Sequence, residues 1–244
     1  MKAWIAFSSI FWKDARTYYL KPPNISWGII FPFAWALMFF IRSESAFDIR
    51  SIVPGVVAMS ILFGTTSLLS VTITFEKRRK TFDRLLLAPV SFELLMLAKT
   101  SGAVLFGVFN AFVPVIVAAA FIGLSGVAWL PLMAGVILIS VSSTFLGLFI
   151  AVSVAEVFEA QTFSNFFRFP MVFLCGLFFP IERLPVFLRP LSYAFPLTYG
   201  ADVLHGTVMG ANNLPLWFDF LILALFCAGL FLMSLRNIGR RWIV

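Results

Sequence analysis

The chain has 244 residues and a net charge of +7, and 61% of its residues are hydrophobic whereas only 12% are charged. With a mean hydropathy of +1.00, this composition excludes a water-soluble globular domain, because such a domain needs a polar exterior. The two cysteines, Cys175 and Cys227, lie in apolar runs and form no CxxC pair, so neither a disulfide framework nor a structural zinc site is indicated. We therefore predict an all-α integral membrane protein.

The N-terminal segment, residues 1–24, has an amphipathic pattern at the helical period of about 100° per residue. The apolar face holds Trp4, Phe7, Phe11, Ala15 and Tyr18, and the polar face holds Ser9, Lys13, Arg16 and Thr17. This pattern predicts a helix in the membrane interface that ends at Pro22 and Pro23. An unstructured basic tail is the alternative.

Six apolar runs are long enough to cross about 30 Å of hydrocarbon at about 1.5 Å per helical residue. They cover residues 25–41, 52–75, 100–123, 128–155, 161–180 and 216–235. Arg168 interrupts the fifth run, and we expect its long side chain to reach the near interface. The sequence thus predicts six transmembrane helices.

Lysine and arginine residues are distributed unequally around these runs. Fourteen lie in the N-terminal segment, the second and fourth loops and the C-terminal tail, against four on the other side. Because cytoplasmic loops carry an excess of these residues, both termini are predicted to be cytoplasmic. Such a topology needs an even number of spans, and six satisfies it. The expected location is the cell membrane, with the chain crossing it several times.

Residues 181–215 contain short apolar pieces broken by prolines. Such pieces favour short interfacial or re-entrant helices, since irregular backbone within a membrane has to be covered by protein or water. The segment is predicted to be either an external gate or a simple interfacial anchor. His205, the only histidine of the chain, is predicted to be a loop residue.

Sequence signatures of catalysis are absent from the chain. It has no GxxxxGK[ST] phosphate-binding loop, no HExxH motif and no metal-spaced group of histidines and cysteines. We therefore expect a protein that is not itself an enzyme, carries no cofactor or metal and binds no nucleic acid.

Residues 76–92 contain the densest charge cluster of the chain. Glu76 and Lys80 have the i,i+4 spacing that favours a helix, while Phe82, Leu85 and Leu86 fall on one face and form an apolar knob. Pro89 is predicted to stop this helix, and Ser91 to cap the next one. The segment is suited to docking in a partner's groove. A basic loop that only sets topology and contacts anionic lipid is the alternative.

Residues 76–91 read Glu-Lys-Arg-Arg-Lys-Thr-Phe-Asp-Arg-Leu-Leu-Leu-Ala-Pro-Val-Ser, and this segment resembles the loop after the second span of ABC type-2 exporter permeases. A second similarity lies in Phe-Phe-Pro-Ile-Glu-Arg-Leu-Pro at residues 178–185 and Phe-Pro-Leu-Thr-Tyr-Gly-Ala-Asp at residues 195–202. The resemblance covers essentially the whole chain in length and span order. Lys80 departs from it, because the family commonly has Gly there, and this departure favours a helix through that point.

The resemblance implies one transmembrane permease domain over residues 1–244, with a cytoplasmic coupling loop at 76–92 and an external gate segment at 181–215. It also implies a partner ATPase that binds ATP and Mg, and a full exporter of two permease and two ATPase chains. The coupling residues would be Glu76, Lys77, Arg78, Arg79, Thr81, Phe82, Asp83, Arg84, Leu85 and Leu86. The external gate would comprise Phe179, Pro180, Glu182, Arg183, Pro185, Pro196 and Tyr199.

The leading functional hypothesis is export of a hydrophobic or amphipathic substrate, such as a drug, a lipid or a lipid-linked glycan. One alternative is a membrane enzyme that acts on lipids, for which we would expect paired carboxylates or an Asp-rich loop; neither is evident in the sequence. Another is a channel or scaffold without an ATPase. Hydroxyl side chains such as Thr65, Thr66, Ser70 and Ser140 suit a polar route or close helix packing, so no substrate path is assigned.

Overall fold

The computed structural model describes residues 2–42, 49–121, 123 and 126–241, and it contains no strand in these residues. The helices are α1 (Lys2–Asp14), α2 (Pro22–Ile25), α3 (Phe31–Arg42), α4 (Val53–Arg78), α5 (Thr81–Leu86), α6 (Phe92–Phe121), α7 (Trp129–Ser153), α8 (Val157–Leu174), α9 (Arg189–Tyr193), α10 (Pro196–Met209) and α11 (Leu216–Arg241). Two π-helical turns (Ala15–Tyr19 and Ser26–Ile30) and two 3-10 turns (Ile49–Ser51 and Ile181–Arg183) connect some of them. The all-α class is confirmed.

Helices α4, α6, α7 and α11 are long and apolar enough to cross a membrane. They match the predicted runs 52–75, 100–123, 128–155 and 216–235, although α6 begins earlier than expected, at Phe92. The predicted N-cap is confirmed, because the Ser91 hydroxyl oxygen accepts a hydrogen bond from the Leu94 N–H at 3.3 Å. As a result, Lys99, which directly precedes the predicted run 100–123, lies inside α6.

The other two predicted runs form shorter helices. The run at 25–41 coincides with the second π-helical turn and α3, and the run at 161–180 coincides with α8, which ends at Leu174. The residues after α8 turn tightly, with Gly176 at φ +73°. Four of the six predicted spans therefore have the length and composition of a transmembrane helix, and the total of six remains a prediction.

Helix α4 lies at the centre of the fold. Nearly all of its residues from Val53 to Thr74 are buried, and it packs against α6, α7 and α8. Its first half contributes to one apolar cluster with α7, α10 and α11, and its second half contributes Leu68, Leu69 and Ile73 to another cluster with α1 and α6. Both ends of the molecule are thus joined by a single helix.

The N-terminal helix α1 packs against α6 through Ile10, while Trp4, Ile5 and Trp12 are exposed. The rings of Trp4 and Phe7 are stacked. The chain turns at Leu20 and Lys21, before the proline pair, and a new helix begins at Pro22. Proline suits this first helical position because it lacks only a hydrogen bond that would be missing there anyway.

Between α8 and α11 the chain forms a 3-10 turn and the short helices α9 and α10. Helix α10 is buried over most of its length and packs against α7, α11 and α4. Arg189 holds the preceding loop by donating hydrogen bonds to the carbonyl oxygens of Leu184 (3.1 Å) and Glu182 (2.6 Å). His205 lies in α10, so its predicted loop position was wrong.

The contact between α4 and α7 requires a glycine. A Cβ atom at Gly147 would lie 2.6 Å from the Thr66 carbonyl oxygen, which is too close for the two helices to keep their spacing. We expect Gly147→Ala to reduce the free energy of unfolding by about 1–3 kcal/mol, measured by equilibrium unfolding in mixed micelles.

Gly229 provides a matched control, because it lies within α11 and a Cβ atom there would contact nothing. Gly229→Ala should be neutral or stabilising by up to about 1 kcal/mol, since alanine favours helix over glycine. Equal destabilisation by both substitutions would contradict the close approach of α4 to α7.

Candidate functional site

The predicted docking segment is not one continuous helix. Helix α4 ends at Arg78, and Lys80 adopts the left-handed conformation with φ +56° before α5 begins at Thr81. The expectation of a helix through Lys80 was therefore wrong, and so was the i,i+4 pair between Glu76 and Lys80. The position has the conformation that glycine adopts most easily, in keeping with the glycine that is common there in the family it resembles.

The two residues of the predicted apolar knob whose side chains the structure describes, Phe82 and Leu85, both pack against the chain's own bundle. Phe82 is only 1% exposed and belongs to the apolar cluster that α1, α4 and α6 form together. Leu85 is half-buried against the same cluster, whereas Leu87 is 86% exposed. The backbone of Asp83 and Leu86 lies in α5, but their side chains lie outside the described part of the structure. Phe82 thus anchors the segment to its own chain, and Leu87 is the apolar residue presented outward.

Exposed polar residues surround Leu87. Arg78, Arg79, Lys80, Thr81 and Arg84 are exposed, whereas Lys77 is half-buried and Glu76 is buried. The Thr81 hydroxyl donates a hydrogen bond to the Glu76 carbonyl oxygen at 3.0 Å and so fixes the start of α5 to the end of α4. We call residues 79–91 the docking loop. Its exposed side carries basic side chains and the apolar side chain of Leu87. Its buried side packs against the helix bundle through Phe82 and Leu85.

A buried ionic cluster lies directly beneath the docking loop. The Lys99 ammonium is fully buried and contacts the Asp14 Oδ2 atom at 3.1 Å and the Glu76 Oε2 atom at 2.5 Å. The partly exposed Lys13 ammonium contacts the other oxygens of the same carboxylates, Asp14 Oδ1 at 2.7 Å and Glu76 Oε1 at 2.6 Å. Two positive and two negative groups therefore meet with no net charge.

The ionic cluster shifts the pKa values of groups within it and beside it. Burial alone would lower the pKa of Lys13, but the hydrogen bonds and negative charges of Asp14 and Glu76 outweigh it, so that this pKa is raised. Burial, followed by the charges of the same two carboxylates, raises the pKa of Tyr19 well above its usual value. The neutral Tyr19 hydroxyl donates a hydrogen bond to the Lys99 carbonyl oxygen at 3.1 Å. The cluster thereby fixes α1 to the segments on both sides of the docking loop.

A second ion pair at this end is exposed. Arg78 at the end of α4 contacts the Glu156 carboxylate at 2.8 Å, and Glu156 also caps α8 in a capping box with Glu159. Since both side chains are more than half exposed, the pair contributes little to stability but connects the start of α8 to the end of α4, next to the docking loop.

The sequence prediction did not identify the ionic cluster. It placed Glu76 in the coupling set, and it paired neither Lys99 nor Asp14 with another residue. A signal was present, because Asp14 is the only acidic residue among the first 43. An isolated acid in an amphipathic segment that faces an apolar bundle needs a basic partner.

Three of the four hydroxyl residues considered for a polar route, Thr65, Thr66 and Ser70, are hydrogen-bonded to helix backbone or to another hydroxyl, whereas the buried Ser140 hydroxyl has no partner among the described residues. The Thr65 and Thr74 hydroxyls donate to carbonyl oxygens one turn earlier, the Thr66 hydroxyl donates to Ser143 across to α7, and Ser70 and Ser164 are hydrogen-bonded at 2.9 Å. This pattern favours close helix packing over a polar route.

Arg168 does not reach the interface, so the expectation for its side chain was wrong. It is fully buried, with its Nε atom 3.2 Å from the Ser164 carbonyl oxygen and its Nη2 atom 2.6 Å from the Asn165 Oδ1 atom. Its guanidinium also lies 4.6 Å from the centre of the Phe63 ring. The contacts with Ser164 and Asn165 lie within α8, and the contact with Phe63 joins α8 to α4.

The other end of α4 borders a cavity of 490 Å³, which we call the Asp219 cavity. Four predicted gate residues, Phe179, Pro180, Arg183 and Tyr199, line it, whereas Glu182, Pro185 and Pro196 do not. The loop after α8 closes tightly over the start of α4, where a Cβ atom at Gly55 would clash with the Leu177 carbonyl oxygen. Since α4 has 26 residues, the cavity lies about 39 Å from the docking loop.

The tertiary structure brings together the paired carboxyl groups that the sequence did not reveal. Asp202 of α10 and Asp219 of α11 lie side by side in the wall of the Asp219 cavity, with His205 nearby. The two aspartates lie on different helices, so no spacing rule could have paired them.

A bundle with four helices long and apolar enough to cross a membrane, an anchored basic loop at one end and a cavity at the other has the architecture of a membrane protein. The family model of the ABC-2 type transporter matches residues 5–209, and the chain belongs to this family. The inner membrane transport permease YadH of Escherichia coli K12 is 24% identical over 245 aligned positions, which cover 97% of this chain and 96% of YadH. The protein of the same name from Shigella flexneri matches equally well.

The ionic cluster predicts a large loss of stability on substitution. In Glu76→Gln the buried Lys99 keeps only one carboxylate, so we expect the free energy of unfolding to fall by about 3–5 kcal/mol. Arg78→Gln breaks the exposed pair at the same end of α4 and serves as the control, with an expected loss below about 1 kcal/mol. Equilibrium unfolding in mixed micelles measures both, and similar small losses would contradict the role of the cluster.

The left-handed conformation at Lys80 predicts a gain of stability. Lys80→Gly removes the steric cost of a positive φ, and we expect the free energy of unfolding to rise by about 1 kcal/mol. At neighbouring Arg79 φ is −82° and the guanidinium lies 4.1 Å from the centre of the Phe75 ring, so Arg79→Gly should be destabilising. The same unfolding assay measures both variants, and a gain for Arg79→Gly, or none for Lys80→Gly, would contradict this account.

Proposed function

We propose that the chain is the transmembrane subunit of an ABC exporter that moves a hydrophobic or amphipathic substrate out of the cytoplasm. Membership of the ABC-2 family makes it a transport subunit, and permeases of this kind work with a separate ATPase. The observation that carries the proposal is the docking loop, which presents basic side chains and Leu87 outward while the ionic cluster and Phe82 attach it to three helices.

The attachment suits the transfer of motion from an ATPase. A partner that moves the docking loop has to move the end of α4 and the start of α6 with it, because Glu76 and Lys99 share one ion pair. It also moves α1, which contributes Asp14 to the same cluster. The coupling contacts are then Leu87 and the exposed polar residues around it, with Phe82 as the internal anchor. The basic residues set the orientation of the partner.

The membrane topology in this proposal has six spans and cytoplasmic termini, with the chain as one permease domain over residues 1–244. The distribution of lysine and arginine supports it. The helical stretch from Pro22 to Arg42 would reach about 31 Å and α8 about 27 Å, so both are long enough to approach the thickness of the hydrocarbon. Helices α9 and α10 would then enter the membrane from the outside without crossing it, since α10 is covered by protein.

The full exporter is proposed to contain two permease chains and two ATPase chains, with ATP and Mg bound to the ATPase. The exposed side chains of α8, including Phe158, Phe166 and Phe173, would face lipid or the second permease. Purification of the chain with its ATPase, followed by substrate-stimulated ATP hydrolysis, tests this composition. A permease that purifies without an ATPase would favour the channel or scaffold alternative.

Leu87 allows a sharp test of the docking surface. Because its side chain is 86% exposed, Leu87→Asp should leave the thermal stability of the permease unchanged but reduce co-purification of the ATPase at least about tenfold. Val186→Asp introduces the same charge at a residue that is 74% exposed near the other end of the bundle, and it should retain the ATPase.

Phe82→Ala separates anchoring from docking. This substitution removes a buried ring from the apolar cluster, so we expect it to lower the thermal stability of the permease itself, by about 3–5 kcal/mol in free energy of unfolding. Undiminished ATPase binding by Leu87→Asp would reject the docking surface, and undiminished stability of Phe82→Ala would reject the anchor.

A further inference from the structure

The Asp219 cavity has the dimensions of a small-molecule site. Its volume is 490 Å³, and its wall is formed by the turns after α8 together with α10 and the start of α11. Cavities of about 300–1,000 Å³ with a mostly apolar lining and a few polar groups are typical of ligand sites in proteins. The polar groups of the wall determine which ligand chemistry fits the cavity.

The two carboxyl groups of the cavity differ in their partners. Asp202 accepts hydrogen bonds from the backbone N–H groups of Asn213 (2.8 and 3.0 Å) and Leu214 (2.8 Å), which hold it in place. Asp219 has a relative exposure of 0%, and in the described part of the chain neither of its carboxylate oxygens has a hydrogen-bond donor. Asp219 lacks these backbone donors, and the side chain at hydrogen-bonding distance from its carboxyl group is that of Asp202, which is itself an acceptor unless a proton lies between the two groups.

An uncompensated buried carboxylate is costly. Its charge would destabilise the fold unless a proton or a cation neutralises it, and the neighbouring Asp202 adds like-charge repulsion. Asp219 lies in the first turn of α11, where the helix dipole favours a negative charge but supplies too little energy to offset burial. The pair of carboxyl groups therefore needs one positive charge, which is either a shared proton or a cation from the cavity.

The remaining groups that face the cavity define the rest of the ligand. Tyr193 and Tyr199 provide aromatic surface, and aromatic faces attract ammonium groups as well as apolar groups. Burial lowers the pKa of His205, so it stays neutral at physiological pH and does not neutralise the carboxylates. Arg183 is exposed, so solvent weakens its repulsion of a cation.

We propose that the Asp219 cavity binds an amphipathic molecule through a monovalent ammonium group, with Asp219 and Asp202 as counter-ions and the tyrosine rings against its apolar part. The positive charge of the ligand compensates the carboxylate that the chain leaves unpaired. This site is separate in space from the docking loop, because all of its residues lie at the other end of α4. The ligand enters either as a lipid headgroup or as a free amphipathic amine.

The test uses the full chain in phosphatidylglycerol nanodiscs, since this lipid has no ammonium group. The probe is phenethyltrimethylammonium, titrated by calorimetry with empty nanodiscs as the blank. We expect saturable binding to the wild type and a loss of affinity of at least about tenfold in Asp219→Asn, which keeps the shape of the side chain. Arg183→Gln should bind the probe up to about threefold more tightly, because it removes an exposed positive charge.

Two controls keep the outcome decisive. The carbon isostere of the probe, in which a tert-butyl group replaces the trimethylammonium group, should not displace the probe at equal concentration. Thermal unfolding of Asp219→Asn verifies its fold, and the variant should be at least as stable as the wild type, since it no longer buries an unpaired charge. Equal affinity of wild type and Asp219→Asn, or displacement by the isostere, overturns the proposal. So does an absence of wild-type binding above the blank, which would leave a shared proton as the neutralising group.

The source of the ligand is distinguished by lipid composition. When phosphatidylethanolamine replaces half of the phosphatidylglycerol, a lipid-headgroup site should lose apparent affinity for the probe by competition. Unchanged affinity identifies the site as one for free amphipathic amines. The Asp219→Asn variant in both lipid mixtures shows which part of the signal comes from the cavity.

Discussion

The contact of the Lys99 ammonium with the Glu76 carboxylate is the constraint on which the end of the bundle that carries the docking loop depends. These residues belong to α4 and α6, and the docking loop joins the two helices. Asp14 brings α1 to the same point. A fully buried ammonium is tolerated only when charges of opposite sign compensate it. The three helices therefore cannot separate without exposing a charge to solvent or leaving a buried charge without its partner. The geometry of the docking loop follows from this requirement, since both of its ends are fixed.

This arrangement changes which residues of the docking loop would take part in the proposed coupling. Charge and periodicity predicted a helix with an apolar face turned toward a partner. In the structure, Phe82 is buried in the bundle and Lys80 interrupts the helix. The loop is therefore a short rigid cap. Its inner side chains hold it to α1, α4 and α6, and its outer side chains meet solvent. A rigid cap transmits displacement better than a flexible loop, because little motion is absorbed within it.

Much of the fold could be predicted from the sequence, because the long apolar runs determine the positions of α4, α6, α7 and α11 and local chemistry determines caps such as Ser91. Contacts between distant residues could not be predicted in this way. Lys99 and Asp14 are 85 positions apart, and their pairing depends on how α1 lies across the bundle.

Periodicity identified Phe82 as part of an apolar face, but it does not say whether that face meets a partner or the chain itself. The same limit applies to Asp202 and Asp219, and to Arg168, whose burial depends on the Phe63 ring and on Asn165.

The continuity of α4 has a thermodynamic consequence. One unbroken helix runs from Gly55, beneath the turns that border the Asp219 cavity, to Glu76 in the ionic cluster. An event at either end that shifts this helix changes the free energy of binding at the other end, and linkage requires the two effects to be equal in size. An occupant of the cavity that strengthens attachment of an ATPase must therefore be held more tightly, by the same factor, when the ATPase is attached.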